Sequence, residues 1–152
     1  LERHCGRFWR GALVTSEIQG ATDLAKMARN NDARLHDRAW VTSVACQIAR
    51  VTRIMHGHGF AHNALKWRTV LVTDQVPPRV FLIDCPSGNY WWRPFLNYRI
   101  IKDLACLDKV AKYQLSRVQR LRFFLEYREH QRLDADDKRL MRKILSFFEG
   151  RE

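Results

Sequence analysis

Residues 56–84 read HGHGFAHNALKWRTVLVTDQVPPRVFLID. Gly57 and Gly59 supply the C-cap of a helix that leads into this stretch. A polar loop, HNALKWRT, runs from His62 to Thr69. Val70–Val72 and Val80–Ile83 are β-rich runs. The segment between them, Thr73-Asp74-Gln75-Val76-Pro77-Pro78, has turn chemistry, so the two runs predict a hairpin. Such a hairpin holds the loop close to Asp84, just past the second strand. An acidic residue (Asp84), a lysine (Lys66) and a hydroxyl (Thr69) on neighbouring loops are the groups needed to hold a metal-bound polyphosphate.

Upstream, Trp40, Val41, Val44, Ala45, Ile48, Val51, Ile54 and Met55 recur at helical spacing and predict a long helix from about Arg34 to His56. Before it, Gly11–Ile18 (GALVTSEI) reads as a strand broken by Gln19-Gly20. Thr22 is placed to cap a short helix from Asp23 to about Asn30. Three histidines, His56, His58 and His62, lie close enough to raise a metal site. The glycines between them break any common helical face and no carboxylate stands at ligand spacing, which favours His62 as a buried, hydrogen-bonded loop residue.

Downstream of Asp84, the segment CPSGNYWWRPF holds Tyr90, Trp91, Trp92 and Phe95 around Arg93. Trp and Tyr suit a sugar face or a membrane interface. The competing expectation is that at least two of these rings fill the core. A helix follows over about 99–115, with Ile100, Ile101, Leu104, Leu107, Val110 and Ala111 apolar. Ser116 caps a further helix to about Glu129, and Asp134 caps the last, about Ala135 to Phe148.

At 152 residues and 46% hydrophobic, the chain can bury one sizeable core and is not disordered. It opens on Leu1 without a signal-like segment, which suggests a fragment, and no apolar run reaches the roughly 20 residues that span a bilayer. Cys5, Cys46, Cys85 and Cys106 form no Cys-x-x-Cys, so neither a zinc ribbon nor a disulfide framework is expected. Cys46 and Cys106 read as buried thiols in a reducing cytoplasm. The net charge of +11 favours an anionic partner, or simply a solvated basic surface. Residues 1–98 carry 13 Lys and Arg against 7 Asp and Glu, and residues 99–152 carry 14 against 9. The charge is therefore spread along the chain, with no basic tail.

The order His-x-x-Leu-Lys, strand, turn, strand-Asp resembles the catalytic loop and metal-binding Asp of the protein-kinase-like fold. The wording HNALKWRTVLV, VFLIDCPSG and KDLACLDK is similar to the bacterial lipopolysaccharide kinase family (Kdo/heptose kinase, WaaP-type). This resemblance implies an α+β fold, mainly α with a small β component: the large helical C-lobe of a kinase. Residues 1–152 would form one unit, with 1–20 the last small-lobe strands and the hinge and 21–152 the helical lobe. Asp84 would bind the metal and Lys66 would offset phosphoryl charge. His62 would be the buried loop histidine, and Asp103 would brace the loop through its backbone N–H groups. Without that role Asp103 reads as a solvated helix charge. The backbone of Glu17 and Ile18 would contact adenine.

Two positions depart from the family pattern. Ala64 stands at the usual catalytic Asp, and Thr69 at the usual metal-binding Asn. The resemblance implies ATP and Mg²⁺ as cofactors and an anionic glycolipid, the lipopolysaccharide core, as phosphate acceptor. It places the protein in the cytoplasm, peripheral at the inner membrane. The seven glycines contain no G-x-G-x-x-G, and no earlier strand carries a phosphate-gripping lysine. Catalysis is therefore expected to be impaired and Mg²⁺-ATP binding by this chain feeble or absent. The alternatives are a pseudokinase binding or scaffold domain and, less favoured, a basic nucleic-acid module. The pI of 10.1 allows the last, but no nucleic-acid motif supports it.

Overall fold

Fourteen short elements follow from these patterns in a computed structural model that describes residues 2–4, 7–10 and 16–150. In order they begin with strands β1 (Glu2–His4), β2 (Arg7–Arg10) and β3 (Ala21–Asp23), then helix α1 (Leu24–Arg29). A 3-10 turn (Ala33–His36) precedes helix α2 (Arg38–Gly57) and strand β4 (Phe60–Ala61). A second 3-10 turn (Trp67–Thr69) leads into β5 (Val70–Thr73), β6 (Val80–Leu82) and β7 (Asn89–Tyr90). Helices α3 (Phe95–Gln114), α4 (Arg117–Arg128) and α5 (Ala135–Leu145) complete the chain.

The expected hairpin is β5 and β6, antiparallel with Val70 opposite Leu82 and Val72 opposite Val80. Ile83 falls outside β6, but its N–H still donates to Thr69 O at 2.9 Å. Of the expected strand Gly11–Ile18, residues 11–15 lie outside the described residues, and Ser16–Ile18 are irregular. A strand forms instead at Ala21–Asp23, which pairs with β5 and completes a three-stranded sheet. That pairing corrects the helix start: Thr22 is inside β3, and Asp23 caps α1 by accepting the Lys26 N–H at 2.8 Å.

The helix expected to run from Arg34 is interrupted for a similar reason. Asp32 accepts the Arg34 N–H and ends in a tight 3-10 turn, and Asp37 then caps α2 at Ala39 N. Asx side chains compete for backbone donors and restart the helix there. The inner face of α2 also differs from expectation. Val41, Val44, Ile48, Ala49, Thr52 and His56 are buried, whereas Val51 and Ile54 are exposed. The inner face thus becomes polar toward its end, where it meets a buried carboxylate.

Two apolar clusters form the core. One joins α1, α2, β5 and the end of α3 through Met27, Ile48, Leu65, Val72 and Leu107. The other joins α2, α3, α4 and α5 through Ala49, Leu104, Phe124, Tyr127 and Ile144. Between the helices remains an apolar space of about 550 Å³. Cys106 is buried as expected, while Cys46 is only half-buried. The aromatic segment does not fill the core. Trp91 is half-buried, but Tyr90, Trp92 and Phe95 are exposed. Among the described residues no helix is long and apolar enough to cross a membrane.

Candidate functional site

The loop His62–Thr69 is held by alternate side chains. Leu65, Trp67 and Thr69 are buried, while Lys66 and Arg68 face solvent. Burial of Leu65 stabilises this arrangement by about 2 kcal/mol. Trp67 adds a bond from its Nε1 to Leu107 O at 3.0 Å. Lys66 is thus an exposed cation between two anchored apolar neighbours.

Thr69 is turned inward. Its hydroxyl accepts the Lys66 N–H at 3.0 Å and shares its proton between Lys66 O at 2.9 Å and Ala64 O at 3.2 Å. These bonds close the 3-10 turn that sets the loop's exit into β5. The side chain that the family pattern would use as a metal ligand is engaged within its own loop.

Asp84 is exposed, and the residues on either side of it are tied to that loop. Ile83 donates its N–H to Thr69 O, and Ile83 O lies 3.2 Å from His62 Nε2. On the other side the Cys85 thiol donates to His62 O at 3.7 Å. Asn63 Nδ2 donates to Ser87 O at 2.7 Å, a second clamp across the same gap. Asp84 (φ 54°) and Asn63 (φ 62°) both adopt left-handed backbone. Asp and Asn tolerate that region better than other side-chain-bearing residues. Such conformations persist where the surroundings over-determine them, and they cluster at functional sites.

Beneath the loop lies Asp103, fully buried on α3. Its Oδ2 accepts the His62 N–H at 2.8 Å and lies 3.4 Å from His56 Nε2. His56 Nδ1 is 2.9 Å from the Tyr127 hydroxyl. The roles that satisfy all three groups have the Tyr127 O–H donating to Nδ1 and the Nε2–H donating to Asp103. Burial pushes the Tyr127 hydroxyl up to about 12, so it keeps its proton over the ordinary pH range. A chain of contacts therefore runs from α4 through α2 and α3 to the loop backbone.

The structure thus gathers His62, Ala64, Lys66, Thr69, Asp103 and the flanks of Asp84 into one network. Glu17 and Ile18 lie in the irregular segment before β3, and among the described residues no hydrogen bond joins them to the loop. Sequence reasoning missed Asn63, Cys85 and Tyr127, and treated His56 only as a candidate ligand. The three-histidine metal site does not form: His58 is exposed, and His56 and His62 are bound to different partners. A separate group, His130, Asp134 and Asp137, has ligand-like spacing. There Asp137 already accepts Arg128, His130 and the Asp134 N–H. Burial alone would raise the Asp137 carboxyl, but bonds from His130 and Arg128 and the local backbone hold it below its usual range.

A lysine and a carboxylate on adjacent loops, joined by a hairpin and braced from a central helix, define a protein-kinase-like fold. The model of the lipopolysaccharide kinase (Kdo/WaaP) family matches residues 1–127, and the chain belongs to that family. A solved structure described as WaaP in complex with acyl carrier protein shares the fold, with a TM-score of 0.64 and 24% identity. The match covers 88% of this chain and 60% of that one, so the chain spans about three-fifths of its solved neighbour. No curated protein matches the chain.

For Mg²⁺ and ATP the donor set fits in part. Asp84 offers one hard, exposed oxygen ligand, as Mg²⁺ sites with phosphate substrates use. Ala64 offers none, and the Thr69 hydroxyl is engaged as described.

Proposed function

We propose that this chain is the helical lobe of a lipopolysaccharide-core kinase-like protein, with residues 1–20 ending the small lobe and 21–152 forming the large one. The observation that carries this reading is the bracing of Asp84 and the exposed Lys66 by one buried network. Within it Asp84 would hold Mg²⁺ and Lys66 would face the phosphates, the acceptor being a heptose or Kdo sugar of the core. A bound Mg²⁺-ATP supplies the phosphoryl group and offsets its charge. Ala64 cannot take the acceptor's proton, so the lobe is catalytically impaired, and a pseudokinase binding or scaffold role is the alternative. The protein is cytoplasmic in this reading and meets its acceptor at the inner membrane. The expected result is that millimolar ATP with Mg²⁺ barely moves the melting temperature of this chain. A Mg²⁺-dependent rise of several degrees would overturn the expectation of feeble nucleotide binding, and Asp84→Asn should abolish any such rise.

A second reading concerns a partner. The solved neighbour is bound to an acyl carrier protein, and the net charge of +11 on this chain suits a partner with an acidic surface. The space of about 550 Å³ is lined by apolar side chains such as Val44, Ile48, Leu104, Leu107 and Phe124. That volume lies in the range of small-molecule sites and could take a carrier's acyl chain. Size-exclusion chromatography with purified carrier tests it: the acylated form should co-elute and the unacylated form should not. Equal co-elution of both, or of neither, refutes the cavity as the receptor.

A further inference from the structure

The rings left outside the core fall within one stretch, residues 90–98, whose chemistry indicates its occupant. Tyr90, Trp92, Phe95 and Tyr98 are 71%, 72%, 53% and 48% exposed. They are held in place rather than splayed. Tyr90 packs edge-on against Phe60 at 5.3 Å, Trp92 against Phe95 at 5.3 Å, and Tyr98 against Phe147 at 5.6 Å. Phe95 and Tyr98 stand three residues apart on the first turns of α3, and so share a face. Arg99 lies over Trp91 at 4.5 Å and over Tyr98 at 5.8 Å.

The charge in this stretch of sequence has one sign. From Cys85 to Lys102 the chain has no Asp or Glu, but carries Arg93, Arg99 and Lys102. The nearest acids in sequence are Asp84, at the candidate site, and Asp103, fully buried beneath the loop. Fixed, exposed Trp and Tyr interleaved with cations have the chemistry of a bilayer interface: the rings sit at headgroup depth while the cations meet anionic phosphates. The patch is also continuous with the site. β7 pairs with β4, which leads directly into His62, and Ser87 O accepts Asn63 Nδ2.

We infer that the ridge formed by Tyr90, Trp92, Phe95 and Tyr98, with Arg93 and Arg99, is the surface by which this chain docks onto an anionic phospholipid bilayer. Docked this way, the protein holds the His62–Thr69 loop and Asp84 near the headgroups, where a membrane-borne glycolipid presents its sugars. The use of the surface rests on the kinase-like reading above, but lipid binding itself needs no nucleotide.

The test is sedimentation of the chain with phosphatidylcholine vesicles, with and without phosphatidylglycerol, read together with tryptophan emission. Binding and a blue shift are expected with the anionic vesicles only, weakening with salt. The double change Trp92→Ala with Phe95→Ala should lower vesicle affinity by roughly tenfold or more, and Arg93→Glu should act in the same direction. Tyr113→Ala removes an equally exposed ring (77%) at the far end of α3 and should leave binding unchanged. Circular dichroism confirms that each variant is folded. The proposal is overturned if the parent ignores anionic vesicles, binds neutral ones equally, or loses nothing with the double change. It is also overturned if soluble core oligosaccharide, and not lipid, protects Trp92. A failed vesicle result leaves the ATP test standing, and a failed ATP test leaves this one standing.

Discussion

Ala64→Asp combined with Thr69→Asn is expected to raise phosphotransfer from ATP to purified core glycolipid by about 10²–10⁴-fold in the full-length protein, the usual worth of a positioned general base. The two positions contribute differently. Ala64 is half-buried, next to Asn63 and Leu65, and its methyl group can accept neither a proton nor a hydrogen bond. A carboxylate there would reach toward an acceptor hydroxyl while its backbone stays clamped by Asn63 and Leu65. Thr69 is 2% exposed, and its hydroxyl closes the loop by bonds to Lys66 and Ala64. Asn must replace those bonds or leave the Lys66 N–H without its partner, so Thr69→Asn alone should destabilise by about 1 kcal/mol. The expected pattern is therefore a gain dominated by Ala64→Asp, with a modest loss of stability from Thr69→Asn. If turnover stays flat in the double variant while the protein remains folded, the degenerate-kinase reading loses its basis.

What could be read from the sequence divides along local and long-range physics. The β5–β6 hairpin was legible because β-branched runs flank a Pro-containing turn. The long helix was legible from its period, but its start was not, since Asp32 and Asp37 act as successive caps only once the chain has turned between them. β3 was invisible: Ala21–Asp23 carries no alternating pattern and becomes a strand by pairing with a segment some fifty residues away. Lys66 and Asp84 were legible by their place in a family pattern. The support beneath them was legible only at Asp103, because His56 and Tyr127 meet across 71 residues and no local signal links them. Composition gave the aromatic residues near Arg93 but not their orientation. The rings point outward because β7 and the first turn of α3 lie at the surface.

Asp103→Ala is expected to destabilise the chain by about 3 kcal/mol, and so to lower its melting temperature by about 6–12 °C. The carboxylate is fully buried and serves two donors from different elements, the His62 backbone and the His56 ring. Removing it leaves both without that acceptor in a place water does not fill freely, and an unpaired buried donor costs about 1–3 kcal/mol. Asp103→Asn keeps one acceptor oxygen and should cost less. Loosening should start at the loop, so limited proteolysis ought to cut within residues 62–69 before the helices melt. The same network makes a pH prediction through Tyr127. An unfolded tyrosine ionises near pH 10, whereas this one is held up to about 12 by burial. Its contribution, about 2–3 kcal/mol, is therefore complete below pH 10 and is lost as pH rises toward 12. Tyr127→Phe should flatten that part of the stability profile, though at a cost from the lost bond to His56. An Asp103→Ala variant that melts with the parent, and an alkaline profile untouched by Tyr127→Phe, would together mean that the buried network beneath the loop does not hold it.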